Sequence, residues 1–399
     1  MKAWKKTSLL TTLIILVILF SLKSIFKISI DIPSSEIEFS PGTEIQNSIS
    51  SSSAVLPENI IFFVADGFGF SHLSLAMMTL QSENKTSVWN AFDIKGWHDA
   101  RSVYGPLTDS EASATAMFTG TSTNFGHIGI DINGDKLESL CAIASENQFS
   151  TGIVTDSYIW DGTPAAFATH TTNEDNARDI LQQLAASQLD LLIGELEDLG
   201  EDEVPEEDET LEILRTRFQL LDQSLSIKSI QDKTKPIAAV FDEDQVQNLD
   251  SSPNLPQLTD IALQHLSQLE SPFFLLVECE EMDAASHENN SKRVFKGLKS
   301  IEKTIAGIQQ FVEQDEKTLF IFTSDHETGG LAAISDFDEY PNLRLKWATE
   351  DHTAEVVPLF AKGPGAELFS EVTRNRDIGV IIKYLVQAER DSEEQEPFQ

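Results

Sequence analysis

An α/β fold, with a mostly parallel central sheet flanked by helices, is what this 399-residue sequence predicts. Two observations carry that expectation. Short apolar runs recur at 59–65, 151–155, 189–193, 237–241, 273–278, 318–323 and 356–361, most of them rich in Val, Ile, Leu or Phe. Helix-like stretches, among them 176–187, 210–222 and 293–312, separate many of these runs. Buried strands alternating with helices are the pattern of a parallel sheet covered on both faces. In such folds ligands gather beyond the carboxyl ends of the strands. Several polar motifs of this chain stand there, directly after residues 65, 277 and 323.

The runs place one folded domain with small insertions at 58–388. A hydrophobic content of 41% is enough for a sizeable core. Ahead of it, Lys2, Lys5 and Lys6 precede an uncharged apolar run at 9–22. That run is shorter than the ~20 residues a membrane span needs, and no small-x-small cleavage site follows it. Residues 1–31 are therefore a signal anchor or a signal peptide, with Lys23 and Lys27 able to snorkel at the far interface. Both readings export the chain, to a membrane-anchored, periplasmic or extracellular location. Residues 32–57, rich in Ser, Pro and Glu, read as a flexible linker. The acidic stretch 195–210 reads as a solvated insertion, and 389–399 as an acidic disordered tail.

The formal net charge of −37 argues against nucleic acid as a partner, because phosphate contact needs Lys and Arg. A solvated, salt-adapted surface accounts for the acidity, and collection of cations is the alternative. Cys141 and Cys279 are the only cysteines. They make no disulfide framework, and neither has a second Cys or a His at zinc-ligand spacing. Two buried free thiols are expected.

Six motifs carry the chemistry, and any one of them taken alone means little. Asp66 in VADGFG ends the first apolar run, where Asp-Gly is also an ordinary turn. Ser110 precedes the small-residue run EASATAMFTG. A helix starting there would aim free N–H groups at an anion, although a serine can also be a simple N-cap. Asp161 and Thr163 in WDGTPAAFATH are oxygen donors suited to Mg²⁺, with Pro164 in a first helical turn. Glu278, Asp283 and His287 lie in LLVECEEMDAASH. The last two are four apart and share a face if a helix starts near Glu281. Asp325 and His326 end the run at 318–323, with Gly329 and Gly330 permitting a tight loop beyond. His352 falls in a loop before the last run. Together they are the inventory for two zinc ions, one harder cation and an activated serine.

In order and internal spacing these residues resemble the alkaline phosphatase family. The matching pattern is strand-Asp-Gly-x-Gly, Asp-Ser-x-x-small-x-Thr-Ala, Asp-x-Thr-Pro-small-Ala with a His six residues after the Pro, Glu-x4-Asp-x3-His, Asp-His and a final His-Thr. The likeness runs from about residue 59 to about 387. It implies an alkaline-phosphatase-like fold and an exported, metal-dependent phosphate monoester hydrolase. It implies that Ser110 becomes phosphoserine. It implies one zinc on Asp283, His287 and His352, and a second on Asp66, Asp325 and His326. It implies one Mg²⁺ on Glu278 and Thr163, with Asp66 bridging and Asp161 helping through water. Small-molecule phosphate monoesters are the implied substrates, and a homodimer is compatible with the sequence.

Two departures stand out. The family carries an arginine shortly after the histidine matching His170, to clamp phosphate. Here Asn173 and Glu174 stand in its place and Arg178 is the nearest arginine, so Asn173 and Arg178 are the candidates to bind substrate phosphate. Glu111 also follows Ser110 where the family has a small apolar residue. Rival expectations are a phosphodiesterase or sulfatase on the same fold, and a catalytically impaired metal- or phosphate-binding surface protein. Neither cysteine has a sulfatase context, and Glu278 and Thr163 supply the third metal position that diesterases lack.

Overall fold

The computed structural model describes residues 55–82, 87–196, 207–223, 225, 235–247, 250, 252–335 and 342–388. All of them fall in one compact unit. The strands are β1 Asn59–Ala65, β2 Ile94–His98, β3 Ser150–Tyr158, β4 Leu191–Glu195, β5 Gln219–Leu220, β6 Ile237–Phe241, β7 Phe273–Cys279, β8 Thr318–Thr323, β9 Glu327–Thr328, β10 Ala332–Ile334, β11 Arg344–Lys346, β12 His352–Thr353 and β13 Val357–Lys362. Nine of them form one sheet in the order β2-β13-β8-β1-β7-β3-β4-β6-β5. From β8 to β5 every neighbouring pair is parallel, and only β13 runs against its neighbours. The mostly parallel α/β sheet expected from the sequence is the one observed.

Both faces of the sheet are covered, which is why its strands read as unbroken apolar runs. In β1, Ile60, Phe62 and Val64 face a layer that includes Met117, Phe118, Phe167 and Ile381. Ile61 and Phe63 face the opposite layer, with Leu258, Ile301 and Ile305. The alternation follows from the strand period of two. Phe62 meets Phe118 edge-on with centroids 5.6 Å apart, which fixes the helix Ser110–Thr119 over the sheet. Each such buried side chain contributes about 1.5–3 kcal/mol by area.

Three elements differ from expectation. The helix predicted over 210–222 spans Glu207–Arg215 instead, and Gln219–Leu220 joins the sheet edge as β5. β2 was not legible, because its residues alternate between half-buried and exposed and lack an apolar run. His352 is not in a loop: β12 pairs antiparallel with β9, placing His352 opposite Thr328. Among the described residues no helix is long and apolar enough to cross a membrane. The expected anchor or signal at 1–31, the tail 389–399 and most of the linker 32–57 and of the acidic stretch 195–210 lie outside the described residues.

Candidate active site and metal centres

The predicted ligands come from strand ends and the turns beyond them. β8, β1 and β7 are adjacent in the middle of the sheet, so Asp66, Glu278 and Asp325 arrive side by side at the carboxyl ends of its central strands. Asp66 N–H donates to Cys279 O at 2.9 Å, locking the first turn to the end of β7. Gly67 then turns with φ +68°. A Cβ there would stand 2.7 Å from Asp283 Oδ1, so only glycine lets this turn close on the helix Glu281–His287.

Asp66 Oδ1 and Asp325 Oδ2 lie 3.4 and 3.3 Å from the same nitrogen, His326 Nε2. Both oxygens are buried without a hydrogen-bond partner. Burial, reinforced by the carboxylates of Asp325 and Asp283, pushes the Asp66 carboxyl well above its ordinary value. Burial lowers the pKa of His326. Ser110 Oγ lies 3.2 Å from His326 Nε2, so the hydroxyl faces this ligand set. Ser110 is the first residue of its helix and Asp109 is the N-cap, accepting from Ala112 N–H at 2.8 Å. The capping alternative for Ser110 is thereby removed, and its hydroxyl is free for chemistry.

Beside it lie Asp283, His287 and His352, whose ligand atoms fall within 4.8 Å of one another. His287 Nδ1 faces Glu350 O at 2.5 Å and His352 Nδ1 faces Thr108 O at 2.9 Å. Each Nδ1–H donates to that carbonyl, which aims each Nε2 inward, 3.2 Å from the other. His287 Nε2 is 3.0 Å from Asp283 Oδ2. That contact raises the pKa of His287 to about 9. Burial opposes ionisation of Asp283, but His287, His326 and His352 outweigh it and hold the carboxyl at about 2.

The oxygen-rich position is built from Glu278, Thr163 and Asp161. Glu278 Oε1 and Thr163 Oγ1 are buried and lack a partner. Thr155 Oγ1 donates to Glu278 Oε2 at 2.5 Å, and Ser157 Oγ to Asp161 Oδ2 at 2.5 Å. Burial and then Asp161 push the Glu278 carboxyl well above the usual range. Four orphaned buried oxygens, set among neighbouring buried carboxylates, fit cations. An unpaired buried polar atom costs about 1–3 kcal/mol, and coordination removes that cost. The first two sets, mixed N and O, suit zinc; the third, all oxygen, suits Mg²⁺.

The candidate phosphate binders Arg178 and Asn173 are engaged with other partners. Arg178 is half exposed and pairs through both terminal guanidinium nitrogens with Glu209. Asn173 Oδ1 accepts from Asp175 N–H at 3.3 Å, closing an exposed turn. The residue that does come forward is Glu174: its carboxylate joins Asp109 and Glu111, with ligand atoms within 4.8 Å. Burial, then Asp109 and Glu174, push Glu111 up to about 9. Gly162 makes room for it, since a Cβ there would stand 2.3 Å from Glu111 Oε1. The hydroxyls of Thr155, Ser157 and Thr328, the last donating to Asp283 Oδ1, were not legible as site residues. They sit in or beside apolar strands with no spacing signal.

The family profile described as Alkaline phosphatase matches residues 57–204 and 222–343. The chain is 26% identical to alkaline phosphatase 4 of Bacillus subtilis over 355 residues, covering 69% of this chain and 76% of that one. It is 24% identical to the alkaline phosphatase of Escherichia coli over 402 residues, covering 84% and 78%. The solved alkaline phosphatase of the Antarctic bacterium TAB5 superposes with a TM-score of 0.74 at 28% identity, over 85% of this chain and all of that one. A mutant of the TAB5 enzyme, with Mg bound in its M3 site, gives 0.74 at 27% identity. Since the profile spans most of the folded sequence and the sheet superposes on a solved member, the chain belongs to the alkaline phosphatase family of hydrolases.

Proposed function

We propose that this chain is an exported phosphate monoester hydrolase working through a phosphoserine at Ser110. The observation that carries the reading is the convergence of Ser110 Oγ, Asp66 Oδ1 and Asp325 Oδ2 on His326 Nε2, at 3.2, 3.4 and 3.3 Å. A hydroxyl at a helix start beside two orphaned carboxylate oxygens is arranged for a nucleophile next to a cation. Asp66, Asp325 and His326 would hold one zinc, and Asp283, His287 and His352 the other. Glu278 and Thr163, with Asp161 nearby, would hold Mg²⁺. When bound, these cations supply Lewis-acid stabilisation of the serine oxygen, the phosphoryl oxygens and the departing oxygen.

The chain's own residues do the rest. Ser110 attacks phosphorus, the P–O bond to the alcohol breaks, and water then cleaves the P–O bond to Ser110. The first turn of the helix Ser110–Thr119 presents its positive end to the phosphoryl group. Thr155 and Ser157 hold the carboxylates of Glu278 and Asp161 in place. Export through residues 1–31, a membrane tether there and a homodimer belong to the same proposal. Mature N-terminal sequencing starting well after residue 30 would replace the anchor with a cleaved signal peptide.

A second reading, a metal- or phosphate-binding surface protein with impaired turnover, is favoured by the acidic cluster of Asp109, Glu111 and Glu174 at the start of Ser110's helix, where the family carries a phosphate-clamping arginine. Turnover of an aryl phosphate monoester, an aryl diester and an aryl sulfate, with Zn²⁺ and Mg²⁺ added, separates the readings. Monoester hydrolysis well above the other two is expected. Preference for the diester or sulfate, or no turnover of any, overturns the proposal.

A further inference from the structure

His72 is fully buried in the first turn of the helix Phe70–Ser82, and nothing in the chemistry above uses it. Both of its ring nitrogens are engaged. Gly69 N–H donates to Nδ1 at 3.1 Å, so the ring proton resides on Nε2. Nε2 lies 3.2 Å from Ser286 Oγ, whose own proton goes to Met282 O at 2.7 Å. The direction of the chain of hydrogen bonds is thereby fixed: Gly69 N–H to His72, His72 to Ser286, Ser286 to Met282. Burial pushes the His72 pKa down to about 4, so the ring is neutral at working pH and one nitrogen stays an acceptor.

The two ends of this chain matter. Gly69 directly follows the turn Ala65–Phe68 that carries Asp66. Ser286 sits in the helix Glu281–His287, between Asp283 and His287. The ring therefore spans the backbone of one proposed zinc set and the helix of the other. Around it the fit is tight, with Phe68 stacked at 6.1 Å and the Gly67 turn against Asp283. We propose that His72 is a positioning residue that fixes the separation of the two zinc ligand sets by bolting the Asp66 turn to the helix carrying Asp283 and His287. The inference rests on the two-zinc reading and deepens it. No shorter polar side chain does both jobs: Asn reaches only the position of Nδ1, and Gln only that of Nε2.

The test uses the purified full chain loaded with Zn²⁺ or with Co²⁺, in wild type, His72→Asn, His72→Gln, Ser286→Ala and the double variant His72→Asn/Ser286→Ala. Circular dichroism selects variants that fold, and Ser286→Ala is mild enough to keep the experiment decisive. Zinc affinity is read by chelator competition and ligand geometry by the visible bands of the Co²⁺ form. Loss of either end of the bridge, the Ser286 bond in His72→Asn and Ser286→Ala or the Gly69 bond in His72→Gln, should weaken zinc binding about 10–100-fold and alter the Co²⁺ band intensities. The double variant should be no worse than His72→Asn, because both changes cut the same bond. Single variants that lose thermal stability but keep wild-type affinity and Co²⁺ spectrum would overturn this inference alone. A wild-type chain that binds no zinc would overturn it together with the proposed function.

Discussion

The rings of His326 and His352 lie one over the other, with centroids 3.6 Å apart and planes 23° apart. β12 creates the stack by pairing with β9, which brings His352 opposite Thr328, two residues beyond His326. One ring belongs to each proposed zinc set. Asp283 Oδ1 is shared between them, 3.9 Å from His326 Nδ1 and 3.8 Å from His352 Nε2. The two sets thus have a common wall.

That wall makes the ligand variants unequal. His352→Ala should lose roughly one zinc per chain and most activity, since a three-ligand site loses much of its affinity with one ligand gone. Asp283→Ala should lose at least as much and also weaken the Asp66 set. Glu278→Ala should leave zinc in place and abolish the response to Mg²⁺. Elemental analysis after gel filtration reads all three, and full zinc content in His352→Ala or Asp283→Ala would contradict the assignment.

Ser110→Ala should lower turnover by about 10⁴-fold or more while metal content stays near wild type. The hydroxyl makes no cap of its own helix, so its removal leaves the fold intact. Turnover within tenfold of wild type would remove Ser110 as the nucleophile.

The sheet was legible because burial on both faces leaves nothing but apolar residues. The runs at 59–65, 237–241 and 318–323 coincide with β1, β6 and β8. The clustering of the candidate ligands was legible for a related reason: a carboxylate or imidazole directly after such a run stands out against an apolar sheet. β2, β9 and β12 were hidden because a two-residue ribbon or a half-exposed strand carries no period to read. The surroundings of the candidate phosphate binders were illegible because they depend on where an exposed loop points. Arg178 follows its loop to Glu209, while Glu174, four residues earlier, turns towards Ser110's helix.

Zinc binding should release protons. Without metal, His287 holds its proton up to a pH of about 9, because Asp283 stabilises the charged ring. Metal needs the Nε2 lone pair, so that proton must leave. The buried carboxyls of Asp66 and Glu278, raised well above their ordinary values, act in the same direction. Affinity should therefore fall as pH falls below about 9, by up to tenfold per unit for each proton displaced. Calorimetry at pH 7.5 in two buffers of different ionisation enthalpy should show about one proton or more released per chain. The release should shrink above pH 10, and heats independent of the buffer at pH 7.5 would refute the argument.

The charge beside Ser110 sets the last prediction. Phosphate sites of this kind gain from a guanidinium that donates two charge-assisted bonds. This chain offers Glu174 instead, hydrogen-bonded to a Glu111 carboxyl that burial keeps protonated up to about 9. Above that pH a second negative charge appears where a dianion must bind. Inorganic phosphate should accordingly inhibit weakly, and more weakly still as pH passes 9. Glu174→Arg replaces repulsion with a charged donor and should tighten phosphate by about 1.5–3 kcal/mol, roughly 10–100-fold in the inhibition constant. Arg178→Ala should leave inhibition unchanged, because that arginine is committed to Glu209. Competitive inhibition measured at pH 7.5 and 9.5 on the three proteins decides the matter. Tight inhibition of the wild type that collapses in Arg178→Ala would mean that Arg178 leaves Glu209 to grip the phosphate.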